Sequence, residues 1–467
     1  MTNALWTWND LVHASGGGAD GMPAVGVTGF SIDTRTLQPG EMFVALKDVR
    51  DGHDFVPLAF SQGAAAALVA HGYARQPGDG ALLRVDAPLA GLGAVARAAR
   101  QRSKARIVAV TGSVGKTGTK EMLRAVLGRL GATHAPEKSF NNHWGVPLTL
   151  ARMPPGSAYG VFEIGMNHAG EITPLAVMVR PHIAIVTTVE AVHLEHFGSV
   201  AGIADAKGEI FSGLEAGGVA VINRDNPWGE RLVGHARAAH ARVLGFGRHA
   251  DAEIRLEDAT LDPRGTTVTA SHAGQRFQWR LGAPGAHIAQ NSLAVLATLV
   301  ALDLDRDAIR TALGALATLV APQGRGARTE IEVADGTMLL IDESYNANPA
   351  SMRAALAGLA SVPRENFPRR VAVLGDMLEL GPDGPVLHEG LIDAVDAAGT
   401  DLVFAAGPAM KGLFDRLPAS AKGGWALRAA DIEADLLAAV RAGDAVMVKG
   451  SLGSRMGPLV EALKRLV

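Results

Sequence analysis

The sequence predicts an α/β protein with about three domains. Its 467 residues are too many for one hydrophobic core, and 48% of them are hydrophobic, which is enough material for several cores. Short β-branched runs alternate with helical stretches in the middle and in the last third of the chain, a pattern typical of mostly parallel sheets covered by helices on both faces. We expect domains at residues 1–98, 99–321 and 322–467.

The composition excludes several classes of function. Lys and Arg total 44 against 47 Asp and Glu, so a nucleic-acid-binding surface is not expected. The absence of cysteine excludes disulfides, zinc–thiolate sites and thiol nucleophiles. The longest uncharged apolar helical stretch, residues 293–302, is far shorter than the about 20 residues that span a bilayer. The N-terminus does not look like a signal peptide, and we expect a cytoplasmic monomer that is not embedded in a membrane.

The clearest motif lies in residues 106–120, RIVAVTGSVGKTGTK. The apolar run 107–110 predicts a buried strand, and the apolar spacing after Thr117 predicts a helix that ends near Gly131. The order of strand, glycine-containing loop and helix is the one that a phosphate site requires. The match to the full pattern GxxxxGK[ST] is incomplete, because Val110 stands where the first glycine would be.

The residue types of this loop suit phosphate chemistry. Gly112 and Gly115 allow the backbone N–H groups to approach phosphate oxygens closely, and Lys116 adds a positive charge. Thr117 then offers a hydroxyl to a Mg²⁺ ion on the same phosphates. The alternative is a glycine-rich turn between a strand and a helix that binds no ligand.

The first domain contains one cluster of polar residues, in the segment SIDTR. Ser31, Asp33, Thr34 and Arg35 supply hydroxyls, a carboxylate and a guanidinium within five residues, just before the strand-like residues 42–46. This cluster is suited to a polar ligand. A capped turn with a surface salt bridge is an equally good interpretation from the residues alone.

In the middle domain, polar residues follow the predicted strands, where ligands of parallel sheets collect. Glu163 ends one strand, and His193 follows the strand predicted at residues 183–189. A carboxylate and a neutral imidazole are both able to ligate a divalent cation, although a single histidine is more often structural. Lys207 is unexpected in this company, because a free ammonium beside metal ligands would repel the cation.

Two further segments have both a binding and a structural interpretation. Asn141 and Asn142 are candidates for a loop over the substrate, but Asn-Asn is also ordinary turn chemistry. Gly285 precedes His287 and Asn291, which share one face of a helical first turn. Those two side chains are candidate ligand contacts or simple helix caps.

The last domain repeats the α/β pattern, with strands expected at residues 338–341, 371–374, 402–405 and 445–448. Three of these strands run into unusually polar segments, which read IDESYNANPAS, GDMLELG and VKGSLGSRM.

Taken in order, these motifs resemble the Mur ligase family over essentially the whole chain. The segments that carry the resemblance are TGSVGKT at 111–117, VFEIGMNHAGEI at 161–172, AVHLEHFGS at 191–199, AKGEIFSGL at 206–214 and DESYNANPASM at 342–352. The resemblance implies an N-terminal UDP-sugar-binding domain, a central P-loop ATP-binding ligase domain and a C-terminal Rossmann-like domain.

The resemblance also assigns roles to individual residues. The expected contacts to ATP are Thr111, Gly112, Ser113, Val114, Gly115, Lys116, Thr117, Asn291, Arg325 and Asp342. The expected contacts to the UDP-sugar are Ser31, Asp33, Thr34, Arg35, Asn141 and Asn142. The expected metal ligands are Thr117, Glu163, His193 and Lys207, and the expected catalytic residues are Lys116, Lys207 and His193. Residues expected near the incoming amine are Tyr345, Asn346 and Asn348.

Lys207 resembles a lysine that is carbamylated in related ligases. A carbamate would make this side chain an anionic ligand and remove the electrostatic objection to it. A solvated helix lysine is the alternative. The chain departs from the family pattern in two places: Ile288 follows His287 where the family commonly has Asn, and Asp48 follows Lys47 where a glycine is common.

The implied activity is that of an ATP-dependent peptide ligase of peptidoglycan precursor synthesis, with ATP and two Mg²⁺ ions. Within the family, the motifs look most like those of the member that adds D-alanyl-D-alanine to UDP-N-acetylmuramoyl-tripeptide through an acyl phosphate. The third residue of the tripeptide, diaminopimelate or lysine, is left open.

Other activities remain as alternatives. A ligase that adds the third amino acid and a folylpolyglutamate synthase would share the ATP site. The former typically carries an Asp-Asn-Pro-Arg signature in its C-terminal domain, whereas Asp225 to Pro227 here is followed by Trp228 in the central domain. A nucleotide-controlled switch and a small-molecule kinase are the alternatives from other classes.

Overall fold

The computed structural model describes residues 4–136, 139–192, 194–262 and 265–466. In these residues the strands form three separate sheets of five, nine and six strands. The expected mixed α/β architecture with three domains and mostly parallel sheets is confirmed. The domain boundaries remain a prediction, and the one between residues 98 and 99 falls inside the helix Pro88–Arg102.

The N-terminal sheet is the smallest of the three. Its strands are Gly18–Asp20 (β1), Phe30–Ser31 (β2), Met42–Val44 (β3), Ala66–Ala70 (β4) and Ala81–Val85 (β5). The helices are Trp8–Ser15 (α1), Val56–Ser61 (α2) and Pro88–Arg102 (α3). The strand order is β1-β5-β4-β3-β2, and only the edge strand β1 is antiparallel to its neighbour.

The central domain contains the largest sheet. Its strands are Arg106–Thr111 (β6), Thr133–His134 (β7), Tyr159–Glu163 (β8), Ile183–Val186 (β9), Val219–Asn223 (β10), Arg242–Gly247 (β11), Ile254–Asp262 (β12), Gly265–His272 (β13) and Gln275–Leu281 (β14). Its helices are Lys116–Gly128 (α4), Gly145–Ala151 (α5), Ile172–Val179 (α6), Leu194–Phe197 (α7), Val200–Gly208 (α8), Gly229–Ala238 (α9), Ala286–Ala301 (α10) and Arg306–Leu313 (α11).

The order of this sheet places β6, which leads into the glycine-containing loop, between β9 and β8, and β8 ends at the candidate residue Glu163. The order is β14-β13-β12-β11-β10-β9-β6-β8-β7, parallel from β12 to β7. Along β6, Val108 and Val110 enter the core on one face, and Ile107 and Ala109 enter the core on the other. Helices therefore cover both faces, as expected.

The C-terminal domain has a six-stranded sheet. Its strands are Ala327–Val333 (β15), Gly336–Glu343 (β16), Arg369–Gly375 (β17), Leu402–Ala406 (β18), Lys422–Ala426 (β19) and Asp444–Lys449 (β20). Its helices are Pro349–Ala360 (α12), Gly384–Glu389 (α13), Ile392–Ala397 (α14), Met410–Arg416 (α15), Glu433–Ala439 (α16) and Gly457–Leu463 (α17). The order is β15-β16-β20-β17-β18-β19, with β15 antiparallel. The loops that follow β16, β20 and β17 are therefore neighbours.

Short 3-10 helices complete the described structure. They lie at Gly52–Phe55, Glu209–Gly213, Gly314–Thr318, Gly381–Asp383, Ala419–Ala421, Ala429–Ile432 and Leu452–Ser454. Within the described part of the chain, none of the helices combines the length and the apolar character that a bilayer crossing needs.

One strand is shorter than expected. The strand expected at residues 183–189 ends at Val186, because the next residues turn to hold the phosphate loop. Helix α4 ends at Gly128, close to the expected Gly131, whose N–H donates to the carbonyl of Leu127 in the last turn. Strands β12 to β14 were not predicted. Their antiparallel hairpins extend the sheet at one edge.

A buried arginine ties helix α3 to the central domain. Arg100 donates from Nε to the carbonyl of Val179 at 2.7 Å and from Nη2 to the carbonyl of Arg180 at 2.8 Å. The same Nη2 lies 3.0 Å from Oε1 of Glu215. Burial lowers the pKa of Arg100, but a guanidinium stays charged at any ordinary pH.

We expect Arg100→Ala to destabilise the protein by about 2 kcal/mol, because the buried carbonyl of Val179 and the part-buried carbonyl of Arg180 lose their donor. The free energy of unfolding measured in guanidinium chloride tests this. Arg97→Ala, on an exposed position of the same helix, is the matched control and should stay within about 0.5 kcal/mol of wild type. Equal stability of the two variants would contradict the role of Arg100.

Candidate active site

The loop between β6 and α4, residues 112–115, is called the phosphate loop below. At two of its positions only glycine fits the backbone. Gly112 has φ +149°, and a Cβ there would lie 1.9 Å from Oγ1 of Thr187. Gly115 has φ +86°, and a Cβ there would lie 2.5 Å from Nδ2 of Asn291. Both glycines are thus needed for the close approach of the loop backbone to Thr187 and Asn291. Asn291 therefore lies beside the loop, as expected for two contacts to one ligand.

The segment after β9 holds this loop from the side. Thr187 donates from Oγ1 to the carbonyl of Val114 at 2.6 Å. The N–H of Ser113 donates to the carbonyl of Thr188 at 2.9 Å, and the N–H of Glu190 donates to Oγ of Ser113 at 2.9 Å. These bonds make the loop a preformed structure. The preceding Thr111, the last residue of β6, is completely buried.

Lys116 is the first residue of α4, and its side chain folds back over the loop. Its Nζ donates to the carbonyl of Gly112 at 2.7 Å. Burial lowers the pKa of Lys116, the negative charge of Glu163 opposes this shift, and the positive charge of Arg325 adds to it. The ammonium therefore lies at the loop, together with the N-terminal end of a helix dipole, which favours an anion.

Glu163 at the end of β8 forms the centre of a cluster of oxygen atoms. Its carboxylate is 1% exposed and accepts from Oγ1 of Thr117 at 2.8 Å and from Nδ2 of Asn141 at 2.7 Å. Oγ of Ser139 lies 3.3 Å from the Thr117 hydroxyl. Among the described residues, no Lys or Arg forms an ion pair with Glu163. These oxygen donors fit a hard cation such as Mg²⁺.

The described residues contain fewer metal ligands than the sequence predicts. His193 lies outside the described residues. In the described ranges no group of three or more His, Asp or Glu side chains is arranged to hold a metal ion. A Mg²⁺ ion beside Glu163 would therefore need further oxygen ligands, which nucleotide phosphates supply.

Lys207 lies buried in α8, with 2% of its surface exposed. Burial lowers its pKa well below the usual lysine value, and the positive charge of Lys116 lowers it further. No hydrogen-bond acceptor or carboxylate partners its ammonium within the described ranges of the chain. A buried, unpaired ammonium is costly, and the alternative of a solvated helix lysine is wrong.

The loop opens into a cleft of about 550 Å³ between the central and C-terminal domains. Arg325 lies over the ring of Tyr345, with Cζ 4.2 Å from the ring centroid, and its Nη2 donates to Oγ of Ser139 at 3.3 Å. Both residues line the cleft. Its apolar part includes Leu281, Leu316, Leu319 and Pro322. Phosphate-binding, cationic and apolar surfaces thus meet in one space, as a nucleotide requires.

Comparison with known proteins identifies the family. The Mur ligase middle domain matches residues 110–299, and the Mur ligase glutamate ligase domain matches residues 327–452. The UDP-N-acetylmuramoyl-tripeptide--D-alanyl-D-alanine ligase of Escherichia coli (strain K12) is 37% identical over 465 residues, which cover 97% of each chain. The chain belongs to the Mur ligase family.

Solved structures of Mur ligases share the whole fold. MurF from Acinetobacter baumannii superposes with a TM-score of 0.83 at 28% identity, over 98% of both chains. MurF from Thermotoga maritima in complex with ADP has a TM-score of 0.77 at 24% identity, over 94% of this chain and 98% of that one. The three-domain architecture is therefore the Mur ligase architecture.

Some residues that the Mur ligase resemblance assigned to ligands have structural partners within the protein, and their ligand roles stay predictions. Asp342 accepts from the N–H of Gly324 at 2.8 Å and from the hydroxyl of Ser344 at 2.6 Å, and it is not among the described residues that line the cleft. Its carboxylate positions the segment that carries Arg325. Asn348 caps α12 through the N–H of Ser351, although it also lines the cleft.

The residues assigned to the UDP-sugar come from two segments of the chain, and each segment has local hydrogen bonds of its own. Asn141 contacts Glu163 beside the phosphate loop, and Oδ1 of Asn142 accepts from the N–H of Gly145 at the start of α5. In the N-terminal domain, Oγ of Ser31 donates to the carbonyl of Asp33 at 3.0 Å, and Arg35 pairs with the Asp33 carboxylate at 2.6 Å. Thr34 is half-buried in the same turn. These contacts are those of a capped turn with a surface salt bridge, and the role of the turn in binding the UDP-sugar stays a prediction.

A polar network at one edge of the Mur ligase cleft was not predicted. Gln290 donates from Nε2 to Oδ1 of Asn223 at 3.2 Å and to Oδ2 of Asp225 at 2.9 Å. Burial lowers the pKa of the neighbouring His287, which keeps its imidazole neutral. In the sequence, the strand VAVIN ends in the polar residue Asn223. Ligands of parallel sheets collect beyond such strand ends, so this residue could have indicated the network.

We expect Gly115→Ala to weaken ADP binding at least tenfold. A Cβ at this left-handed position would collide with Asn291 and distort the phosphate loop. Calorimetric titration of ADP with Mg²⁺ measures the Kd. The control is Gly128→Ala, at the far end of the same helix, where a Cβ meets no atom within 4 Å. Unchanged ADP affinity in Gly115→Ala would refute this view of the loop.

Proposed function

We propose that this chain is the ATP-dependent ligase that joins D-alanyl-D-alanine to UDP-N-acetylmuramoyl-tripeptide. The observation that carries the proposal is the cleft in which the phosphate loop of the central domain faces the Tyr345–Asn348 segment of the C-terminal domain. A ligase that activates an acid with ATP needs the phosphates and the incoming amine at one place. The activity for which the E. coli relative is named supports the choice of substrates.

The first step activates the acid. A carboxylate oxygen of the tripeptide attacks the γ-phosphorus of ATP in line, the bond from that phosphorus to the β–γ bridging oxygen breaks, and ADP leaves with the bond's electrons. The Lys116 ammonium and the N–H groups of the loop stabilise the charge on the transferred phosphoryl group. Mg²⁺, when bound, neutralises phosphate charge, and Thr117 and Glu163 are the residues that would hold it.

The second step forms the peptide bond. The amine of D-alanyl-D-alanine attacks the acyl carbon, the carbon–oxygen bond to phosphate breaks, and the amine nitrogen gives up a proton. Water competes with the amine for the acyl phosphate, so the site must exclude it. Arg325 stacked on Tyr345 covers the cleft at the phosphate loop. We assign Tyr345 and Asn346 to the side of the amine.

We further propose that Lys207 carries a carbamate. Its neutral amine attacks CO₂, a nitrogen–carbon bond forms and one proton is released, which leaves an anionic group. The support is that Lys207 is buried without an acceptor among the described residues and lies close enough to Lys116 to feel its charge. The charge of Lys116 disfavours an ammonium at Lys207, whereas it attracts the negative charge of a carbamate there.

The remaining assignments follow from this function. The turn at residues 31–35 lies at the carboxyl end of β2, where parallel sheets collect ligands, and we assign the uridine nucleotide to it. We place the domain boundaries near residues 98 and 321 and the reaction in the cytoplasm.

We expect purified protein to release phosphate from Mg²⁺-ATP only when UDP-N-acetylmuramoyl-tripeptide and D-alanyl-D-alanine are both present. Tripeptides that end in diaminopimelate and in lysine are both offered, and the pentapeptide product is identified by mass. Turnover without an amine would favour a nucleotide-controlled switch, and a stable phosphorylated product would favour a kinase. Turnover only with a single amino acid would favour another ligase of the family.

For Lys207, we expect protein equilibrated with ¹³C-bicarbonate to show one carbamate resonance in its ¹³C NMR spectrum. The resonance should be missing in Lys207→Ala and retained in Lys104→Ala, a control at an exposed lysine. A spectrum without a carbamate signal, or a signal that survives Lys207→Ala, would overturn the assignment.

A further inference from the structure

A second, smaller cavity joins the nucleotide cleft at the phosphate loop. It has a volume of about 240 Å³ and shares five lining residues with the cleft: Ser113, Lys116, Tyr345, Asn346 and Asn348. Pockets for drug-sized ligands measure about 300–1,000 Å³, so this cavity suits a smaller molecule. One end of the cavity lies at Lys116, where the phosphoryl group is transferred in the proposed reaction.

Three loops of the C-terminal domain build the far wall of this cavity. They follow β16, β20 and β17, which are adjacent strands, and they contain the three polar segments noted in the sequence. Ser451 connects them: its Oγ accepts from the N–H of Leu378 at 3.0 Å, and its N–H donates to the carbonyl of Asp376 at 3.1 Å. Its Oγ also lies 3.4 Å from the carbonyl of Ala347. The wall is therefore a preformed structure.

Two leucines on this wall are unusually exposed. Leu378 has 44% and Leu452 has 65% of its surface accessible, and both line the cavity. A Cβ on Gly453 would lie 2.7 Å from Cδ1 of Leu378, so the two loops are in contact at this point.

We propose that Leu378 and Leu452 form the apolar subsite that contacts the methyl side chains of the acceptor dipeptide and limits their size. The inference rests on the proposed ligase function. The amine of the dipeptide reaches the phosphate loop through the shared end of the two cavities, and its side chains bury the exposed leucine surface. Apolar side chains of the size of alanine suit these two leucines. An acceptor with a charged side chain would lose the solvation of that charge against them.

The test measures steady-state kinetics of Leu378→Ala, Leu452→Ala and the double variant, with each of the three substrates varied in turn. We expect the KM for D-alanyl-D-alanine to rise about tenfold in each single variant, as for lost methylene contacts in an apolar pocket. The KM values for ATP and the UDP-tripeptide should stay within twofold. Leu452→Ala should also raise the relative kcat/KM for dipeptides with a longer apolar second side chain, such as D-alanyl-D-norvaline.

Leu427→Ala is the matched control, because Leu427 is 63% exposed in the same domain and is not among the described residues that line either cavity. Its kinetics should equal those of wild type. Thermal unfolding of every variant establishes that it is folded, which exposed leucines make the expected result.

The outcomes separate the inference from the proposed function. If wild type turns over D-alanyl-D-alanine and both leucine variants keep its KM, the subsite is wrong and the function stands. If the variants instead raise the KM for the UDP-tripeptide, the leucines contact the donor peptide and the inference is overturned. If wild type shows no turnover that depends on D-alanyl-D-alanine, the proposed function fails, and the subsite falls with it.

Discussion

The phosphate loop depends on hydrogen bonds from a neighbouring strand. Thr187 leaves β9 and immediately donates to the carbonyl of Val114, while the carbonyl of Thr188 accepts from the N–H of Ser113. Because β9 is hydrogen-bonded to β6 along its length, these contacts arise from the sheet itself. The loop N–H groups are thus oriented before any ligand binds. Ligand binding therefore does not carry the entropic cost of ordering the loop.

Strand order explains why distant parts of the sequence meet at this loop. Glu163 comes from β8 and the Thr187 segment from β9, the two strands on either side of β6. On the C-terminal side, Asp342 at β16 holds the linker that carries Arg325 through the N–H of Gly324. Arg325 then reaches Ser139 in the central domain. The linker is therefore part of the cleft as well as a connection between domains.

The sequence was most informative where local chemistry determines structure. The β-branched run before Gly112 predicts β6 because a buried parallel strand needs that pattern, and the strand-end rule brings Lys116, Thr117 and Glu163 together. The hairpins of β12 to β14 were missed, because half-exposed strands depend on cross-strand partners more than on their own residues. The partner of Asp342 could not be predicted either, since a carboxylate that holds a linker has the same composition as one that contacts a nucleotide.

The balance of charge links the separate parts of the site. Lys116 and Lys207 are close enough that the charge of Lys116 lowers the pKa of Lys207, and the charge of Arg325 acts on Lys116 in the same sense. Glu163 is the carboxylate that acts against these cations at Lys116. Buried like charges repel strongly, because little water screens them. The site is therefore most stable when it holds added negative charge, and both a nucleotide phosphate and a carbamate on Lys207 meet that requirement. The positive charge of Lys116 also stabilises the charge of the phosphoryl group in transfer, so the electrostatics that favour phosphate binding also favour the proposed chemistry.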